Sequence, residues 1–159
     1  MDIIFKPIGI IYSSFRTLEE MPIQPTSQAS KPGIVEVYSQ FMEGLKDLDG
    51  FSHIYLLYHL HRVESVKLIV TPFLDTQSRG LFATRAPCRP NPIGLSLVQL
   101  ERIDGNQLHI ARLDILDRTP LLDIKPYIPE FEPSQDVRIG WMEQARGQVR
   151  TQRSDKRFT

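Results

Sequence analysis

One cysteine in 159 residues leaves no internal disulfide to staple the fold, and without a partner cysteine Cys88 is a poor zinc ligand. No apolar run approaches the roughly 20 residues that a membrane helix needs. Met1 to Lys6 lack the basic start and cleavage site of a signal peptide. No glycine pair has Rossmann spacing, and a Walker loop, a Gly-x-Ser-x-Gly elbow and a His-Glu-x-x-His helix are all missing. The chain shows no internal repeat and no second domain boundary. A secreted disulfide scaffold, a collagen-like chain and a membrane-spanning protein are excluded. The expectation is a cytoplasmic domain that makes no membrane contact.

Net charge is also absent, with 19 basic against 19 acidic residues, but the layout is uneven. From Thr76 to Leu100 there are three arginines (Arg79, Arg85, Arg89) and no acid. After Asp136 come six bases and two acids. Two basic zones in a neutral chain can hold an anionic partner without a strong global field to steer it.

What the chain does have is proline, twelve against nine glycines. Ile3–Tyr12 reads as a strand interrupted at Pro7, which suits an edge or bulged strand. Met21–Gly33 reads as a loop, Gly33–Phe41 as β, and Met42–Gly50 as one or two helical turns closed by glycine. Phe51–Leu60 is the densest strand signal and Val66–Thr71 a further one. Leu95–Ile103 and Gln107–Ile115 flank Asp104-Gly105-Asn106, a hairpin pattern. Helical character returns only after Gly140, and the last ten residues are expected to fray. The fold class is therefore mainly β: a small single-sheet barrel over residues 1–141 with few short helices, then a basic tail, 142–159.

Two segments carry the chemistry. Gly80–Ser96 holds Pro87, Pro90 and Pro92, which fix φ at three points and make a stiff loop that mounts Arg85, Arg89 and Asn91. Guanidinium groups held this way match carboxylate or phosphate oxygens with little ordering cost. Leu113–Pro129 places Asp114, Asp117 and Asp123 among apolar residues, with Arg118 and Lys125 as counter-ions. These carboxylates either form an ion-pair network or accept hydrogen bonds from a ligand. His53, His59 and His61 are odd-numbered within one expected strand, so period two puts them on one face, but no further ligand follows at metal spacing and no metal site is expected. The electropositive setting of Cys88 would lower its pKa.

The runs Phe82–Ser96 and Leu113–Pro129 resemble the two signature stretches of the TsaA-like, or TrmO-type, tRNA methyltransferases. Pro7-Ile-Gly-Ile, Ile23-Gln-Pro25, Phe51-Ser-His-Ile54 and Gly140-Trp141 match as well. The resemblance implies a non-Rossmann barrel that binds S-adenosylmethionine, works as a homodimer and methylates the exocyclic amine of threonylcarbamoyl-adenosine beside the anticodon in tRNA. It also assigns residues. Pro22, Ile23, Gln24, His61, Arg62, Arg85, Leu95, Leu113, Asp114, Ile115 and Leu116 would hold the cofactor. From their own chemistry rather than from the resemblance, Asn91 and Asp117 are expected to serve catalysis, and Arg79, Arg89, Arg146 and Arg150 to meet RNA phosphates. Arg118 stands where the family usually has glycine. The alternative is a barrel that binds RNA or senses S-adenosylmethionine without catalysis.

Overall fold

The computed structural model describes residues 1–21 and 30–146. Its strands are β1 (Gly9–Tyr12), β2 (Lys31–Val37), β3 (His53–His59), β4 (Ile69–Val70), β5 (Arg79–Gly80), β6 (Ile93–Asp104), β7 (Gln107–Leu113) and β8 (Thr119–Pro126). Six of them close an antiparallel barrel in the order β1-β2-β7-β6-β3-β8, and β8 returns to pair with β1. Period-two alternation builds its core: Ile54, Leu56 and Tyr58 of β3 point inward, as do Gly94, Ser96, Val98 and Leu100 of β6. Ile11, Val35, Leu108, Ile110, Leu113 and Leu121 complete the filling. Burying each such aliphatic side chain contributes about 1.5–3 kcal/mol.

Closure changes the reading of the first strand. β1 is shorter than Ile3–Tyr12, Pro7 lies outside it, and hydrogen bonds run on both sides, so it is not an edge. Pro32 falls inside β2, where the missing N–H coincides with a bulge between Lys31 and Gly33 against β7. The hairpin expected at Asp104-Gly105-Asn106 forms: Asp104 pairs with Gln107, and Gly105 takes φ +60° in the two-residue loop.

Only two residues of Val66–Thr71 form a strand. Ile69–Val70 pairs with Arg79–Gly80 over a separate small core of Val70, Leu81, Ala86 and Cys88. Cys88 is fully buried there, and burial pushes its thiol pKa up, the reverse of the expected direction. His61 lies beyond β3, in a turn, so it does not share the strand's outer face with His53 and His59. A 3-10 turn, Gly140–Ala145, packs back on the body through Ala145 and through Trp141 Nε1, which donates to Ala83 O at 2.8 Å. The barrel-to-tail boundary expected at residue 141 falls inside this turn. Residues 147–159 of the expected tail, Arg150 among them, lie outside the described residues, as do Pro22, Ile23 and Gln24.

Arg118 adopts φ +60°, the left-handed region in which a Cβ is strained by about 1–2 kcal/mol. Its exposed contact with Asp117, Nε to Oδ2 at 3.9 Å, offsets little of that. Arg118→Gly is expected to raise unfolding free energy by about 1 kcal/mol, a gain to be read as a higher urea midpoint at unchanged slope.

Candidate active site

The register gathers one rim of the barrel from segments far apart in sequence. The end of β3, the start of β6, the end of β7, the start of β8 and the end of β1 all meet there. A cleft opens at this rim. Its walls include Leu60, His61, Arg62 and Val63 after β3, Pro87 of the stiff loop, Ile115 and Leu116 after β7, and Tyr58 and Thr119; Leu18 and Met21 close one side. Four expected cofactor residues thus converge: His61, Arg62, Ile115 and Leu116.

Hydrogen bonds fix the state of two of these walls. Thr119 Oγ1 donates to Leu116 O at 2.7 Å, so toward His61 Nδ1, 3.4 Å away, it can only accept. The ring of His61 also has a hydrogen bond with the His59 backbone, so two contacts orient it at the rim. Burial first, then the charge of Arg62, lowers its pKa and keeps the ring neutral near pH 7.

A polar chain that reaches the cleft through Tyr58 lies inside the apolar barrel. Ser96 Oγ donates to Asp114 Oδ1 at 2.7 Å, and Tyr58 OH lies 2.9 Å from Ser96 Oγ. Since the one serine hydroxyl hydrogen is spent on Asp114, Tyr58 donates to Ser96. Burial raises the Asp114 pKa to about 7; the Ser96 bond and, more weakly, the Arg85 charge pull the other way. The Tyr58 phenol is driven well above its usual value, mainly by burial and then by the neighbouring Asp114.

Other expected site residues sit elsewhere. Leu113 fills the barrel core against Gly33, and Leu95 points outward opposite Leu57. Arg85 and Asn91 are exposed on the proline loop. Asp117 Oδ1 accepts from the Ser13 backbone N–H at 3.0 Å, while Oδ2 faces Arg16 at 3.6 Å. Asp123 pairs with Lys125 at 3.0 Å.

Three of the four arginines assigned to RNA are engaged within the chain. Arg89 Nη1 donates to Thr84 O and Ala86 O, 3.0 and 3.1 Å, and its guanidinium lies over Phe82, clamping the proline loop. Arg79 binds Asp75 at 2.6 Å and lies over Trp141, and Arg146 pairs with Glu143. Among the described residues no group of three His, Cys, Asp or Glu side chains gathers in metal-binding geometry.

Tyr58, Ser96 and Thr119 were missed by sequence reasoning. Ser96 had a signal: in Ile93–Leu100 it is the polar residue at an inward position of the alternation.

The tRNA-methyltransferase O N-terminal domain family matches residues 10–133. A probable S-adenosyl-L-methionine-binding protein of Pyrococcus abyssi is 51% identical over 98% of this chain and 85% of its own length. A human tRNA (adenine(37)-N6)-methyltransferase is 32% identical over 86% of this chain but only 32% of its own. The crystal structure of TrmO from Pseudomonas aeruginosa superposes with a TM-score of 0.73 at 36% identity, covering 89% of this chain and 63% of that one. The present chain thus spans somewhat less than two thirds of the solved TrmO chain. With the family profile on the barrel and the solved fold repeating it, the chain belongs to the TrmO family of tRNA methyltransferases.

Proposed function

We propose that this chain is an S-adenosylmethionine-dependent methyltransferase acting in the cytoplasm, as a homodimer, on the exocyclic amine of threonylcarbamoyl-adenosine beside the anticodon of tRNA. The observation that carries the reading is the rim cleft, which joins the His61-Arg62 turn to Ile115-Leu116, next in sequence to the buried Asp114. The fit is chemical. Leu60, Val63, Ile115 and Leu116 offer apolar walls for a purine and His61 a polar ring edge, while Asp114, buried immediately before Ile115, is the carboxyl group nearest that wall in sequence.

When bound, the cofactor supplies a methyl group on a positively charged sulfur. The protein's part is to bind, orient and exclude water, since in-line transfer draws much of its acceleration from positioning. His61, Arg62, Ile115 and Leu116 would hold the donor, with Pro22, Ile23 and Gln24 assigned to it from the first loop. Arg85, exposed on the rigid loop, would take a carboxylate of the cofactor or of the threonyl group. Asn91 on the same loop would accept a hydrogen from the adenine amine and sharpen its lone pair. Asp117 is assigned a supporting role at the rim, with Ser13 and Arg16 fixing its carboxylate. Arg79, Arg89, Arg146 and Arg150 are assigned to RNA phosphates, with an affinity that falls as salt rises. Exposed Leu68, Ile69 and Phe82 offer an apolar face for a second copy; a monomeric mass in solution with cofactor bound would contradict the dimer.

Arg85→Ala is expected to weaken cofactor binding about tenfold or more, the loss of one charged hydrogen-bond partner. Unchanged calorimetric affinity would remove Arg85 from cofactor binding. The function itself is tested by titrating the protein with S-adenosylmethionine, then following methyl incorporation into tRNA with and without the threonylcarbamoyl group. A second reading, a barrel that binds the cofactor without catalysis, is favoured by the Pyrococcus relative of similar length, described only as cofactor-binding. Binding without incorporation into either tRNA would select it.

A further inference from the structure

Ser96, Asp114 and Thr119 are the buried polar side chains of the described residues, and two of them belong to one chain. It runs in one direction: Tyr58 OH to Ser96 Oγ at 2.9 Å, Ser96 Oγ to Asp114 Oδ1 at 2.7 Å. No lysine, arginine or histidine among the described residues comes within ion-pair distance of Asp114. A buried carboxylate with hydrogen bonds but no counter-charge is costly, and a cation brought near it recovers much of that cost. The chain reaches the cleft through Tyr58, and Ile115 and Leu116, which follow Asp114 in sequence, form the adjoining wall.

We propose that the Tyr58–Ser96–Asp114 chain makes this cleft select a sulfonium donor over its neutral thioether product, with Tyr58 and Ser96 as positioning residues for the Asp114 carboxylate. The inference rests on the reading of the cleft as the cofactor site. Methyl transfer removes the positive charge from sulfur, so the product loses its attraction to Asp114 while keeping every apolar contact. Exchange of product for donor is thereby favoured without any movement of the barrel. Occupation by the cation ionises Asp114 and releases its proton to solvent; the neutral product leaves that proton in place.

The charged and titratable groups on the surrounding elements are few. Tyr58 on β3 donates into the chain, and Arg85 before β6 favours the ionised carboxylate. His61 and Arg62 follow β3, and the ring of His61 has a lowered pKa. Lys31 of β2 pairs in register with Leu113 and lies over the Phe15 ring, and Asp117 after β7 is held by Ser13 and Arg16. Tyr58 stays protonated across the neutral range. The ionisation that distinguishes a charged from an uncharged sulfur there is that of Asp114.

Calorimetry of the full chain with S-adenosylmethionine and with S-adenosylhomocysteine, in buffers of different ionisation enthalpy, tests this. For wild type the donor-to-product affinity ratio is expected to rise about tenfold from pH 6 to pH 8, with proton release on donor binding only. In Asp114→Asn the ratio is expected to be flat with pH; in Tyr58→Phe its rise is expected to be blunted, with the ring retained. Parallel pH profiles for the two ligands in wild type would overturn the inference and leave the cofactor reading standing. Failure of both ligands to bind would overturn the two together. The wild-type comparison needs no variant, so a misfolded Asp114→Asn leaves the test intact.

Discussion

Replacing Gly94 with alanine is expected to cost about 3 kcal/mol or more of unfolding free energy. Gly94 faces the barrel interior directly opposite Tyr58, and a Cβ there would run into Cε2, Cζ and Cδ2 of the phenol ring. The ring is buried and its hydroxyl is tied to Ser96, so it can yield only by repacking the core and giving up that bond. Overpacking of this kind costs about 1–3 kcal/mol, and an orphaned buried hydroxyl about 1–3 more. A urea titration reads the loss as a lower midpoint. Gly44→Ala is the control, since its Cβ would meet open space. A loss under about 1 kcal/mol at Gly94 would show that the ring moves freely, and would weaken the case for a fixed polar chain.

The second large effect is on pH. The Asp114 pKa is about 7 in the fold against a usual value of 3.8. Between those values the folded state holds a proton that the unfolded chain has lost. Stability therefore falls as pH rises through this window, with the penalty fully present above the folded pKa. Asp114 alone sets an upper figure of roughly 4 kcal/mol on that decline. Asp114→Asn mimics the protonated acid, still accepting from Ser96. It is expected to flatten the decline and to exceed wild type by about 2 kcal/mol at pH 8. Thermal unfolding of both proteins across the pH range measures this. An equal loss of stability in both would place the decline elsewhere. A more stable barrel with poorer charge discrimination is the trade expected of a carboxylate kept for binding.

Much of the barrel was legible because strands buried on one face write their register into the sequence. His53–His59 alternates cleanly, and Asp104-Gly105-Asn106 names its own turn. Closure was not legible: nothing local in Gly9–Tyr12 says that both its edges are taken, since its partners are residues 34–37 and 119–121. Pro32 read as loop because a bulge that tolerates a missing donor depends on the neighbouring strand. Of the residues assigned to the site, the fold brings some together and leaves others apart. His61, Arg62, Ile115 and Leu116 meet at the cleft, whereas Leu95 faces outward and Arg89 spends its guanidinium on the loop that carries it. Asp117 lies near Arg118 and also Arg16, and Asp123 pairs with Lys125, as in the ion-pair alternative for this segment; Asp114 takes the Ser96 hydroxyl instead. Its uncompensated charge is a three-dimensional fact, invisible until the strands are closed around it.

The β1–β8 seam has a consequence for biosynthesis. The cylinder is sealed by pairing residues 9–11 with residues 119–121, so a nascent chain that ends after β7, at Leu113, holds an open sheet with β1 and β3 as its two bare margins. Such nascent intermediates are adhesive, and truncations ending short of Thr119 should be recovered as aggregates rather than as smaller folded products. Completion awaits the eighth strand, which makes late translation the vulnerable interval in the life of this chain.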